Sequence, residues 1–394
     1  MKNQELRVLM IIQLFPPRYA GAAIQSIYLT KELKSQGLEV VDFLVNNSKE
    51  KTVIEDLEGS KVFKLSTFSE FNDPKFAQLN QFIFFLRSTW FILTHKEYNI
   101  IFFHSVCGVD SFLFPILKIF KKKSLLELTL VGGDDPMVLK NRKLGFLFLP
   151  AICCLDKIVA ISTKLNQLSL EAGVPKEKII QIPVGVNTSK FYFPSTGEKT
   201  ELKHKLNLVE FEKVFLSVGR LEERKGYEFI LKAWYEIQKE YPKAVLLIGG
   251  PGNDLNEPYF QKLNYIINDK KIKNVRFLGM IGNVNEYMKC ADMLLHAAIN
   301  EGLPNVLLEA SLSGVPIVCR LIDGVTSDIL LTPEIGIESS TDSPKDFAQE
   351  VNKYFKNTNV EQHLKEVQNL RKRFDIKEVA QKYIELFKEL SSSK

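Results

Sequence analysis

What this chain lacks narrows it first. Its 394 residues hold five cysteines (Cys107, Cys153, Cys154, Cys290, Cys319), with no CxxC pair and no histidine at metal-ligand spacing. A disulfide framework or a zinc site needs such spacing, so the set reads as buried thiols in a reducing compartment. No apolar run reaches the ~20 residues of a membrane span. The best candidate, "LGFLFLPAICCL" (Leu144–Leu155), is too short and contains Pro150. The apolar run near the start follows Glu5 and precedes no small-residue cleavage site, so it is expected to be a first strand, not a secretory leader. These absences predict a cytoplasmic protein, at most seated on the inner face of the cytoplasmic membrane. GxGxxG after a first strand, GxxxxGK[ST] and DxD are all missing, which removes the dinucleotide fingerprint, the phosphate loop and a metal held by an aspartate pair. A net charge of +5 is too mild for a nucleic-acid binder, but it suits a small anionic ligand or an anionic surface.

What is present is alternation. Short apolar runs ("LRVLMIIQLF", "EVVDFLV", "YNIIFFHS", "SLLELTL", "KIVAIS") are each followed by a turn or an amphipathic stretch, the pattern of βα units and parallel sheets. The pattern lapses at "TSKFYFPSTGEKT" and restarts with "KVFLSVG", "AVLLIGG", "NVRFLG", "DMLLHAA" and "VPIVCR". The expectation is α/β architecture: two doubly wound, Rossmann-like domains facing across a cleft. The first covers 1–187, a linker 188–208 and the second 209–374, with a terminal helix, 375–394, packing back on the first. In such sheets ligands bind beyond the carboxyl ends of the strands.

The chemistry gathers in the second half. "SVGRLEERKG" delivers Arg220 and Lys225 on one loop, with Gly219 and Gly226 permitting close backbone approach; a fork and a point charge can clamp a diphosphate. The alternative is a solvated charged turn. "LLIGGPGND" ends a strand in a glycine loop at Gly250 that suits a nearby ligand or simply a tight turn. "NEGLPNVLLEAS" places Glu301 before a helix expected to begin near Pro304, and Glu309 in its second turn. A capping role explains one acid at most. In the first half, Gly21 opens the first helix and can offer its amide to a phosphate.

In this order and spacing, these stretches, with "VRFLG", "DGVTSDIL", "IPVGVNTSKF" and "KELKSQGLEV", resemble the retaining glycosyltransferases of the GT-B fold, glycosyltransferase family 4. The resemblance covers nearly the whole chain and is strongest from Ser217 to Asp328. It implies a nucleoside diphosphate sugar, uridine- or guanosine-based, as donor, a glycan or lipid-linked hydroxyl as acceptor, and transfer of a hexosyl group without metal or other cofactor. It also implies a setting in bacterial surface polysaccharide assembly. Carried over residue by residue, Arg220 and Lys225 bind the diphosphate and stabilise it as it leaves. The free amides from about Leu303 to Val306, on the donor-binding stretch Gly302, Leu303, Pro304, Asn305 and Val306, face the same phosphates. Glu309 accepts from the ribose hydroxyls, and Glu301 faces the transferred sugar. Family members are held to react on the front face, a β-phosphate oxygen deprotonating the acceptor, so no protein nucleophile is required.

Three departures stand out. Ala20 replaces the first of two glycines in the first-domain loop, and Val184 and Asn187 replace an asparagine and an aspartate of the interdomain crossing. Val131 stands where many relatives carry a histidine near the transferred sugar. Nearby, "LTLVGGDDP" offers Asp134 and Asp135, and His104 ends the preceding strand. Either Asp134 takes the acceptor-side catalytic role or that side is built differently. Two other readings are a sugar-nucleotide epimerase on the same scaffold and a non-catalytic sugar-nucleotide-binding subunit. "FIFFLRSTWFIL" and "FLFPILKIFKKK" read as core helices, or as an apolar face whose lysines seat the first domain peripherally on an anionic membrane.

Overall fold

The computed structural model of the protein describes residues 5–16, 21–46, 51–69, 75–105, 108–357 and 359–392. Ala20 and Cys107 lie outside them. The chain divides into two compact units, Met1–Gly185 with Ile376–Lys394, and Val186–Asp375.

The first unit is built on an eight-stranded sheet. Its strands are β1 (Arg7–Ile12), β2 (Val40–Asn46), β3 (Val53–Leu57), β4 (Ser60–Leu65), β5 (Ile100–His104), β6 (Lys123–Leu128), β7 (Lys157–Ala160) and β8 (Ile179–Gln181), in the order β3-β4-β2-β1-β5-β6-β7-β8. All neighbours are parallel except the β3–β4 hairpin. β1, β2 and β5 are nearly continuous apolar runs because helices cover both faces of a parallel sheet. The terminal helix, Ile376–Ser392, completes this unit. Its residues Val379, Tyr383, Phe387 and Leu390 recur at helical spacing and share a core with Val8 and Phe102 of β1 and β5. The ring of Phe102 sits 5.4 Å from that of Tyr383 and 6.0 Å from that of Phe387.

The second unit carries an all-parallel sheet of β9 (Lys213–Val218), β10 (Ala244–Gly249), β11 (Val275–Gly279), β12 (Met293–His296), β13 (Ile317–Arg320) and β14 (Gly336–Ser339). Their order is β11-β10-β9-β12-β13-β14. Winding starts at β9, runs outward through β10 and β11, then returns to place β12 beside β9. The loops leaving β9 and β12 therefore diverge at the topological switch point, where an open α/β sheet leaves its crevice.

The stretch expected as a linker, 188–208, is not bare connection. It holds the helix Thr196–Lys205, whose N-cap Ser195 accepts from the Glu198 amide, and it belongs to the second unit. Lys199 pairs with Asp292 at 2.8 Å, and Glu198 with Lys289 at 2.8 Å. The helix buries no residue of its own, so it shows no apolar periodicity in the sequence. Of the four described cysteines, Cys290 and Cys319 are buried, Cys153 and Cys154 are half-buried, and all are free thiols. Among the described residues no helix is long and apolar enough to cross a membrane.

Candidate active site

Three loops meet at the carboxyl edge of the second sheet, laced by backbone hydrogen bonds. Gly219 N donates to Gly249 O at 2.9 Å, Leu221 N to Pro251 O at 2.9 Å, and Ile299 N to Arg224 O at 3.0 Å. The glycines are required by this lacing. A Cβ on Gly250 would lie 2.0 Å from the Gly219 carbonyl oxygen, and one on Gly226, at φ 71°, would lie 2.1 Å from that of Ala297. Strand β9 thus hands its loop directly to the loop that follows β12, and Tyr227 clamps the turn by donating to Gly219 O at 2.8 Å.

Within this frame Glu301 is buried among cations. Its Oε1 pairs with Lys225 Nζ, and its Oε2 accepts from Arg224 Nη1 at 3.2 Å. Arg224 also donates to Asn300 O at 2.6 Å and pairs with Glu222 at 2.7 Å. Burial works to raise the Glu301 pKa, but Lys225 and Arg224 more than offset it and hold the carboxyl below its usual range. His296, at the end of β12, lies beneath with Nε2 3.6 Å from Glu301 Oε1. Burial pushes its pKa down to about 4, so it is a neutral neighbour at pH 7. Arg224 and His296 carry no motif that marks them in the sequence, where Arg224 looks like part of a solvated charge run. Arg220 is exposed on the same loop.

Glu309 contrasts with Glu301. The turn Gly302–Leu303–Pro304 is buried, Pro304 caps the helix Asn305–Leu312, and Asn305 and Val306 form its first turn. First-turn amides have no intrahelical acceptor and point toward anions. Glu309 stands one turn on. No side chain among the described residues pairs with it, and burial alone pushes its pKa up to about 8. The two acids thus bracket the helix start in different surroundings, Glu301 buried among cations and Glu309 half-buried with its pKa raised. A cavity of about 490 Å³ opens elsewhere in the unit, between Leu330–Glu338 and the helix Pro344–Asn357, and none of these residues lines it. Among the described residues no group of three or more metal-ligating side chains is assembled.

The remaining sequence candidates belong to the first unit. Gly21 is the first residue of the helix Gly21–Ser35. Asp134 is buried and occupied with its own turn: it accepts from the Thr129 amide and hydroxyl, at 2.9 and 2.8 Å, and from the Leu130 amide at 2.9 Å. Burial raises its pKa and these bonds oppose the rise. Asp135 caps the helix Pro136–Asn141 through the Val138 amide and accepts from Gly132 N at 2.6 Å. Both acids of "GGDDP" therefore have backbone work, and the geometry assigns Asp134 a turn-closing role. His104 is buried, with Nδ1 3.1 Å from Glu127 Oε1, and Tyr383 donates to Glu127 Oε2.

Residues 198–373 match the family model described as "Glycosyl transferases group 1". An uncharacterised glycosyltransferase of Methanocaldococcus jannaschii is 32% identical over 190 residues, 48% of this chain and 45% of that protein. The alpha-monoglucosyldiacylglycerol synthase of Streptococcus pneumoniae is 30% identical over 189 residues, 47% of this chain and 41% of that protein. The chain thus spans somewhat less than half the length of these relatives. Among solved structures, Anabaena HepE in complex with UDP and glucose superposes with a TM-score of 0.74, covering 98% of this chain and all of that one. At 17% identity that likeness speaks for the fold alone, which is GT-B.

Proposed function

We propose that the chain, whose residues 198–373 match the group 1 glycosyltransferase model, is a sugar-transferring enzyme of that group, a retaining hexosyltransferase of the family 4 kind. It uses a nucleoside diphosphate sugar, UDP- or GDP-linked, without metal, and glycosylates a hydroxyl of a glycan or lipid-linked acceptor in bacterial surface polysaccharide synthesis. The observation that carries this reading is the pair of acids flanking one helix start, the first of them, Glu301, buried and held by Lys225 and Arg224.

Arg220 and Lys225 take the diphosphate, with the amides around Asn305 and Val306, and stabilise its charge as the glycosidic C–O bond breaks. Lys225 exchanges its hold on Glu301 for the phosphate. Glu301, still held by Arg224, faces the sugar ring and stabilises developing positive charge. Glu309, which no side chain among the described residues pairs with, accepts from ribose hydroxyls. The acceptor oxygen attacks the anomeric carbon from the side the diphosphate leaves, and its proton passes to a departing phosphate oxygen. The products are the glycoside with retained configuration and the nucleoside diphosphate. The lipid product in the name of the pneumococcal relative supports a lipid-linked acceptor.

A thermal-shift panel of nucleoside diphosphates with and without EDTA tests the donor side. A bound nucleotide at 100 times its Kd adds about 2.7 kcal/mol of stability, and a shift abolished by EDTA would sink the metal-free reading. Glu309→Ala should weaken nucleotide binding, whereas Glu301→Ala should chiefly lower turnover. Unchanged activity in both contradicts the assignment.

A further inference from the structure

The helix Ala77–Thr94 has two apolar faces. Phe84, Phe91 and Ile92 are buried in the first unit, while Leu79, Phe82, Leu86 and Trp90 repeat at helical spacing on the solvent side. Trp90 is 73% exposed. The short 3-10 segment Gly108–Phe112 packs against this helix, the helix Leu113–Ile119 and the helix Gly145–Ile152. The latter two, with the residues that flank them, add Ile119 (76% exposed), Phe120, Leu144 and Phe146 (73% exposed). Charge is as one-sided as hydropathy. Between Phe112 and Pro150 the only acids, Glu127, Asp134 and Asp135, are all buried, while Lys118, Lys121, Lys140, Arg142 and Lys143 are exposed. From Lys75 to Lys96 there is no acid at all.

We propose that this face of the first unit docks on an anionic lipid bilayer. Phe146, Phe120, Ile119 and Trp90 enter the boundary between headgroups and acyl chains, and the exposed lysines and arginine meet the lipid phosphates. Aromatic side chains beside cations suit that boundary, which is apolar on one side and anionic on the other. A second copy of the chain fits less well. A two-fold contact sets each patch against its own likeness, so cations would oppose cations, and within 75–96 and 112–150 no exposed acid relieves them. The inference is independent of the catalytic reading, because no residue of the proposed donor site takes part and its test uses no nucleotide.

The test uses the full chain with vesicles of phosphatidylcholine, alone or mixed with phosphatidylglycerol. The chain should float with the mixed vesicles at low salt and release at high salt. Trp90 reports insertion, because the only other tryptophan, Trp234, is fully buried. Its emission should shift to the blue on mixed vesicles, and Trp90→Phe should abolish the shift. Lys118→Gln with Lys143→Gln should lower partitioning roughly 25-fold, about fivefold for each cation, with thermal melting unchanged as the control for folding. Three results overturn the proposal: no flotation with anionic vesicles at low salt, equal flotation with neutral ones, or a Trp90 shift that follows protein concentration without lipid, which would mark self-association.

Discussion

At the scale of single residues, two glutamates of the same helix start are pushed in opposite directions. Glu301 is ionised because Lys225 and Arg224 outweigh its burial. Replacing it with glutamine should lower kcat by about 10²–10³-fold, the size of one preorganised charge at a reaction centre, while the Kd for nucleotide becomes no weaker, since Lys225 is released for phosphate. Burial pushes the Glu309 pKa up to about 8. Its pKa is raised by folding, so between the ordinary carboxylate range and about pH 8 the native state keeps a proton the unfolded chain has lost. Its contribution to stability is therefore full at low pH and declines as pH rises toward 8. Ligand hydroxyls that donate to the carboxylate pull the pKa down again, so binding should release a proton below pH 8. Nucleotide affinity should rise with pH and level off near 8. Calorimetry in buffers of different ionisation enthalpy measures the proton released, and Glu309→Gln should remove that component. An identical pH profile in wild type and variant would overturn the role given to Glu309.

At the scale of elements, legibility followed burial. Strands β1, β2, β5, β9, β10 and β12 are buried on both faces and stand out in the sequence as apolar runs between turn residues. The β3–β4 hairpin leaves no apolar signal in the sequence because β3 is an exposed edge strand, and its turn, Glu58–Gly59, declares itself only through two left-handed residues at φ 51° and 81°. The helix Thr196–Lys205 was equally silent, being polar all round and held by ion pairs. In the candidate site, the motifs mark Glu301, Glu309, Arg220 and Lys225, whereas Arg224 and His296 stand out only through their contact with Glu301 and not through spacing. The glycines that let those loops touch carry the next prediction. Gly226→Ala and Gly250→Ala should each destabilise the second unit by about 2–4 kcal/mol, the range for a backbone conformation a side chain cannot adopt. Gly282, with nothing within 4 Å of its missing Cβ, should tolerate alanine within about 1 kcal/mol. Urea titrations of the three variants decide. Equal losses at all three would mean that loop contact is not what these glycines serve.

At the scale of the whole molecule, the chain enters the second unit at Val186 and leaves it at Asp375, and the two crossings run side by side. Val186 N donates to Phe374 O at 2.8 Å, and Val186 and Asp375 form a parallel bridge. The first unit is therefore closed only by residues at the far end of the sequence. Phe387, fully buried, touches a core that also holds residues of β1, β2 and β5. Truncating such a phenylalanine to alanine costs about 3–5 kcal/mol, and the cost should fall on one unit alone because each has its own core. Scanning calorimetry should show two transitions. Phe387→Ala should lower one by about 10 °C, taking roughly 2–4 °C per kcal/mol for a body of this size, while nucleotide should raise the other and leave the lowered one in place. A single transition moved equally by the mutation and by the ligand would mean that the two units unfold as one. The stability of the donor site would then depend on the terminal helix, although that helix belongs to the other unit.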